Sequence, residues 1–277
     1  MYSRVLRQAI LRQLAFPILL AGLICPATGI AGELRIGGTG NALGTMRLLG
    51  DAYAKSRPDT KVTVLPSIGT SGAIKAAAKA GIEIGLSSRQ LTAEESGTGL
   101  ISVEYASSPT VFAVHVNNKT TTISRQQIAD VYAGKMTAWS DGTTIRPILR
   151  QPGDDNTRQI KELSPEIEKS LAIAEQRQGM AFAVTDQEAA DKIESIQGGI
   201  GVTTVALILS EKRNLRALAI DNVEPTPQNA VSKRYPILKR FYMILPKDVP
   251  PSTQDFVAFV KSPAGKKILE QNGHAIP

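Results

Sequence analysis

The chain has 277 residues, of which 42% are hydrophobic and 21% charged, with one cysteine, two histidines and a formal net charge of +7. A single cysteine and two histidines leave no framework for disulfides or for the usual zinc-ligand spacings. Aromatics make up only 5% of the residues, and no basic run is interleaved with them, which excludes the stacking platforms of a nucleic-acid binder.

The first segment, "MYSRVLRQAILRQLAFPILLAGLICPATGIAG", carries Arg4, Arg7 and Arg12 and no acid, then an apolar run from Leu14 to Ile24. About a dozen apolar residues are too few to span a bilayer, and small residues follow, so residues 1–31 are expected to be a secretory signal peptide. Cys25 lies within it, after Ile24, where a lipoprotein site would want a small residue. Cleavage after Ala31 would leave 246 residues without cysteine, with 29 basic against 25 acidic groups. A cysteine-free exported chain large enough to build a core suits the bacterial periplasm.

The mature sequence opens on a short strand, Leu34–Ile36, and a glycine-rich turn, "GGTGNALG", followed by a helix over 45–55. "KVTVLPS" alternates as a strand, "IGTSG" is a second small-residue turn, "AIKAAAKA" a second helix and "IEIGLSS" a buried strand. Strand, turn and helix in repetition predict a parallel α/β arrangement. After Pro109 come the strand "TVFAVHV", the helix "SRQQIADVYAGK" and the strand "RPILR". "DDNTRQIKEL" reads as a helix opening on caps. "GGIGV" enters another strand, "YPILKRFYMILP" is a long one, and the C-terminal helix is expected to break near Pro263. Two lobes exchanging chain near Pro109 and Tyr235 fit this layout, with residues 32–112 plus 237–277 in one and 113–236 in the other.

The chemistry sits in the turns. "GGTGNALG" lacks dinucleotide spacing, because the third glycine, Gly44, comes one residue late; what remains is a turn presenting amides at a helix start, and helix starts attract anions. "IGTSG" adds the Thr70 and Ser71 hydroxyls. His115 lies in an apolar strand and His274 at an end expected to fray, so neither offers a serine nucleophile a base. Glu83 sits at or just before a strand, facing either solvent or a cleft. Arg150 ends "RPILR" ahead of a Pro-Gly turn. Asp154 and Asp155 follow it, where aspartate is a preferred N-cap yet an anion would least like a carboxylate.

In this order the turns resemble the phosphate-binding protein of bacterial high-affinity phosphate ABC transporters, over nearly the whole mature chain. The most specific segment is "ISRQQIADVYAGKMTAWSDG"; "AIDNVEPTPQNAVSKRYPILKRFYMIL" and "FVAFVKSPAGKKILEQNG" also fit. The resemblance implies a two-lobed α/β type II periplasmic binding fold, each lobe a mixed sheet flanked by helices, closing on a ligand in the cleft between lobes. It implies amides from Asn41 and Ala42 at the first turn, and Thr70, Ser71 and Gly72 at the second. Glu83 would accept a hydrogen bond from the protonated oxyanion and Arg150 would pair with the anion. The third turn departs from the family's Gly-Ser-Gly-Thr. Asp154 or Asp155 replaces the serine and Asn156 the second glycine, if Thr157 keeps its role. On this reading the chain is a non-enzymatic, cofactor-free, monomeric solute-binding protein for phosphate or a related oxyanion, working with a membrane permease. The alternative is a sensor or surface adhesion protein on the same fold.

Overall fold

The structure, a computed structural model, describes residues 32–277, so the expected signal peptide lies outside the described residues. The first part of the chain forms β1 (Gly32–Gly38), α1 (Gly40–Ser56), β2 (Thr60–Val64), α2 (Gly69–Ala78), β3 (Ile84–Ser87) and the short α3 (Ala93–Gly97). The long β4 (Leu100–His115) follows, and leads to β5 (Thr122–Ile123), α4 (Arg125–Ala133), β6 (Arg146–Arg150), α5 (Asp155–Lys161) and α6 (Pro165–Gln176). Next come β7 (Ala181–Ala183), α7 (Asp186–Ser195), β8 (Gly199–Thr204), α8 (Val205–Ser210), β9 (Leu215–Ala217), β10 (Ala219–Ile220) and α9 (Pro227–Val231). The chain closes with β11 (Leu238–Pro246), α10 (Pro251–Lys261) and α11 (Pro263–Gln271).

The strand order is β2-β1-β3-β11-β4-β8-β6-β7, with β9 also on β4. β1 is parallel to β2 and β3, and β6 is parallel to β7 and β8, as βαβ units require. β4 joins the two halves. Its first part pairs antiparallel with β11 as far as Pro109, and its second part pairs with β8 from Thr110 onward. Pro109 therefore lies inside one continuous strand, at the point where its pairing passes from β11 to β8.

The buried apolar residues divide at the same place. One cluster runs from Val111 to Ile237; a second joins Leu34 and Ile36 to Tyr105, Phe241 and Phe256. β3 is buried along its whole length, as a strand covered by helices on both faces must be. Pro263 occupies the first turn of α11, so the C-terminal helix breaks where the sequence indicates.

His274 differs from expectation. It is 3% exposed, its Nε2 lies 3.0 Å from Thr45 Oγ1, and it packs edge-on to Phe241. The last residues are pinned by Ala275, which pairs with Ser107. Burial therefore pushes the His274 pKa down to about 3.

α1 starts earlier than its apolar pattern suggests, so the glycine-rich turn forms its first turn of helix. A Cβ on Gly40 would lie 2.4 Å from Gln187 Oε1 and 2.8 Å from Asp186 Cβ; one on Gly44 would lie 2.3 Å from Ser210 Oγ. These two glycines, one turn apart, let the first half of the molecule touch α7 and α8 of the second.

Candidate functional site

The parallel strands of both halves point their carboxyl ends at one cleft, the location where open α/β sheets bind ligands. Thr39 follows β1, Ser67 follows β2 and Ser88 follows β3; Arg150 ends β6, and Val184 to Asp186 follow β7. The cleft encloses about 550 Å³.

Four helix starts face it; α7 is capped by its own Thr185, and the other three are each finished differently. α2 begins after Ile68 with no side-chain cap, leaving the first-turn amides of Thr70 and Ser71 without an intrahelical acceptor. Beside them Thr70 Oγ1 lies 3.1 Å from Ser88 Oγ and accepts from Ser88 N. α5 is capped by Asp154, whose carboxylate accepts from Asn156 N at 2.9 Å. α1 has no cap of its own after Thr39; its Asn41 amide donates at 2.9 Å to Asp186, from the far half of the molecule.

Arg150 is the central cation. It is 7% exposed and bonds through Nη2 to Asp154 at 2.7 Å, with Asp186 Oδ1 at 3.3 Å. Burial works against its charge, but Asp186 and Asp154 outweigh that and hold its pKa above the ordinary value. Among the described residues, its Nε and Nη1 are buried without a hydrogen-bond partner. Two orphan donors on a buried guanidinium are costly unless something fills them.

Asp155 lines the cleft, with its carboxylate held by Lys239 and Arg158. Burial raises its pKa, yet the Lys239 charge and hydrogen bond prevail, and it stays below the usual carboxylate value. Lys239 is 1% exposed. Arg89 is neutralised by Glu95 through two hydrogen bonds of 2.7 and 2.8 Å. Four cations, Arg89, Arg150, Arg158 and Lys239, and three carboxylates, Asp154, Asp155 and Asp186, line the cleft, and Glu95 balances Arg89 from outside it.

Of the residues expected at the site, the cleft brings together Asn41, Thr70, Ser71, Arg150, Asp155 and Asn156. Four others are corrections. Glu83 lies before β3, at the amino end of the strands and away from the cleft. β1 and β3 run in register, so Glu83 accepts from Arg35 N at 2.7 Å and Arg35 Nη2 at 2.7 Å. Burial raises the Glu83 pKa, but these Arg35 bonds win and keep it lowered. The Ala42 amide turns back to Thr39 O at 3.2 Å, inside α1. Gly72 is the fourth residue of α2, past the amides a ligand can reach, and its backbone packs toward Ile68. Thr157 is 2% exposed, and its hydroxyl donates to Gln151 O at 3.0 Å, bracing the turn.

Among the residues of the cleft that escape the sequence reading are Thr39, Ser88, Asp186 and Lys239. Lys239 carries a signal in hindsight. In the alternation of β11 it shares a face with Ile237, Phe241 and Met243, all buried, so a charge there needs a buried partner. Asp186 carries none, because an acid in the first turn of a helix is ordinary. Among the described residues no group of three or more His, Cys, Asp or Glu side chains could hold a metal ion, and no helix is long and apolar enough to cross a membrane.

Known proteins match along this frame. The sequence model of a PBP superfamily domain matches residues 26–264. Over 228 residues the chain is 25% identical to the phosphate-binding protein PstS of Borreliella burgdorferi, covering 80% of this chain and 81% of that one. A shorter stretch of 110 residues is 33% identical to phosphate-binding protein PstS 2 of Streptococcus pneumoniae; it covers 40% of this chain and only 37% of the relative's length. Among solved structures, a Clostridium perfringens protein described as a phosphate ABC transporter substrate-binding protein, with phosphate bound, superposes with a TM-score of 0.73 at 23% identity. That match covers 89% of this chain and all of the other. The shared architecture is two-lobed, each lobe a mixed sheet flanked by helices, with the cleft between the lobes.

Proposed function

The chain belongs to the PBP superfamily, and from that premise we propose that it is an exported solute-binding protein. It captures inorganic phosphate or a related small oxyanion between its lobes and presents it to the permease of an ABC transporter. Binding, with no chemical step, is the whole of its task. The relatives named as phosphate-binding proteins support this reading, as does the position of the cleft.

The observation that carries it is the Arg150 guanidinium, buried with Nε and Nη1 unfilled in a cleft that also receives the uncapped start of α2. A small oxyanion satisfies both kinds of donor at once, and charge-assisted bonds to arginine are the strong ones. Thr70, Ser71 and Ser88 supply the remaining donors. The lobes comprise residues 32–112 plus 237–277 and residues 113–236. The division of the apolar clusters near Val111 and Ile237 favours these limits. Leader-directed export, with cleavage after Ala31, fits the composition of residues 1–31.

Calorimetry of the mature chain against phosphate, sulfate, molybdate and phosphonates tests the proposal. Phosphate or one of its analogues is expected to give a heat signal, and Arg150→Ala to weaken binding at least tenfold, because it removes a paired charge. No heat with any of these anions, or an Arg150→Ala dissociation constant equal to that of the parent, refutes it.

A further inference from the structure

We propose that the cleft takes an oxyanion carrying an apolar substituent, of which alkylphosphonates are the simplest, and that Ile68 and Val184 hold the substituent. The inference rests on the oxyanion-binding reading above and names the substrate class.

Most of the groups that could hold an anion in the cleft are already engaged. Of its four helix starts, α1 gives its Asn41 amide to Asp186 at 2.9 Å, α5 is capped by Asp154 and α7 by Thr185. Only the ten-residue α2 is open. The cations are committed in the same way: Arg89 to Glu95, and Lys239 and Arg158 to Asp155. Two anchors are left. One is the start of α2, with the hydroxyls of Thr70, Ser71 and Ser88 beside it. The other is Arg150, 7% exposed, with its Nε and Nη1 unpartnered among the described residues. Together they define where the charged group sits.

That group fills a fraction of the space. A five-atom oxyanion displaces on the order of four waters, or ~120 Å³, whereas the cleft encloses about 550 Å³. An open gap between parted lobes does not account for the difference. The lobes are already joined across the cleft by Asn41 to Asp186, by Gln187 Nε2 to Gly40 O at 2.9 Å and by Lys239 to Asp155. The volume is on the scale of sites for organic ligands, roughly 300–1,000 Å³.

The chemistry of the remaining lining is specific. Ile68 and Val184 are the two apolar side chains among the described residues that line the cleft, and both are exposed, by 43% and 65%. Each stands next to an anchor. Ile68 immediately precedes α2, in the cap position where a polar residue is usual. Val184 immediately follows Ala183, the register partner of Arg150 in the β6–β7 pair. Chain alternation also leaves Phe182 exposed beside buried Ala183, so this apolar side continues outward from Val184. An anion held by both anchors thus has an exposed aliphatic group flanking it from each half of the molecule. An inorganic oxyanion leaves these two groups in water; an alkyl group on the same phosphorus covers them.

Calorimetry of the mature chain with inorganic phosphate and with methyl-, ethyl- and butylphosphonate tests this, at a pH that makes all four monoanions. Affinity is expected to rise along the series, with butylphosphonate bound at least tenfold more tightly than inorganic phosphate. Tenfold is about 1.4 kcal/mol, which the burial of about two methylenes supplies. The double variant Ile68→Ser, Val184→Ser is expected to bring the dissociation constants of phosphate and butylphosphonate within threefold of each other. Inorganic phosphate bound as tightly as every phosphonate refutes this inference alone, and that measurement on the parent does not depend on the variant folding. A preference for butylphosphonate that survives in the double variant overturns the assignment to Ile68 and Val184. Binding of none of the four anions refutes the oxyanion reading with it.

Discussion

Lys239 is the sharpest test of how the cleft is held together. Its ammonium is 1% exposed, sits on β11 where the two apolar clusters meet, and among the described residues finds one hydrogen-bond partner, Asp155. Asp155 has a second cation, Arg158, half-exposed at the surface. The pair is therefore asymmetric. Replacing Lys239 by Met leaves a carboxylate that Arg158 and solvent partly compensate, whereas replacing Asp155 by Leu strands a buried ammonium with nothing. Breaking a buried pair from one side costs about 3–5 kcal/mol, and an apolar pair in its place is often close to neutral. On that scale Lys239→Met should cost about 2 kcal/mol and Asp155→Leu about 4 kcal/mol. The double variant should recover most of the larger loss, giving a coupling of at least about 2 kcal/mol. Urea unfolding of the four proteins, compared at equal slope, measures each quantity. Single variants that both lie within about 0.5 kcal/mol of the parent, or losses that simply add, would show that Lys239 is reached by water and that the pair is an ordinary surface contact.

His274 predicts the pH response of the fold. Its folded pKa, pushed down to about 3 by burial, lies below the ordinary value of 6.5. The unfolded chain thus takes up a proton that the native chain refuses, and the contribution of the neutral ring is complete above pH 6.5. It should fall by about 1.4 kcal/mol per pH unit as pH drops from there toward 3. Melting curves on the parent and on His274→Asn should diverge across that window, and parallel curves would mean that the ring is protonated in place. Gly44→Ala tests the contact between lobes. The new Cβ would sit 2.3 Å from Ser210 Oγ, which can rotate, and 2.7 Å from Glu211 Cγ, which is held by Gln187 and Arg213. We expect a larger radius of gyration in solution scattering and weaker phosphate binding; unchanged values for both would mean that α1 and α8 separate freely.

How much of this was legible in the sequence follows from how far each interaction reaches along the chain. The small-residue turns at the starts of α1 and α2, the arginine at the end of β6 and the aspartate that caps α5 are local features. Residues a few positions apart determine them, so composition and spacing locate them. Asp154 could be read as a cap because the acceptor and its amide are two residues apart. Asp186 and Asn41 are 145 residues apart, and Lys239 and Asp155 are 84 apart. No local pattern records that two helix starts in different lobes will share one carboxylate.

Glu83 shows the opposite failure, since a position within a motif is not a position in space. Two residues decide the matter. Glu83 lies just ahead of β3, beside Arg35 of the parallel β1, and the amino end of a parallel strand is on the edge opposite to the ligand. A sequence that reveals strand direction therefore also reveals which end of each strand can take part in binding. By that rule Arg150, at the carboxyl end of β6, belongs to the cleft, and Glu83, ahead of β3, does not. The loop after β7 obeys the same rule, but no strand is evident over residues 181–183 in the sequence, so Asp186 reaches the cleft without a local signal.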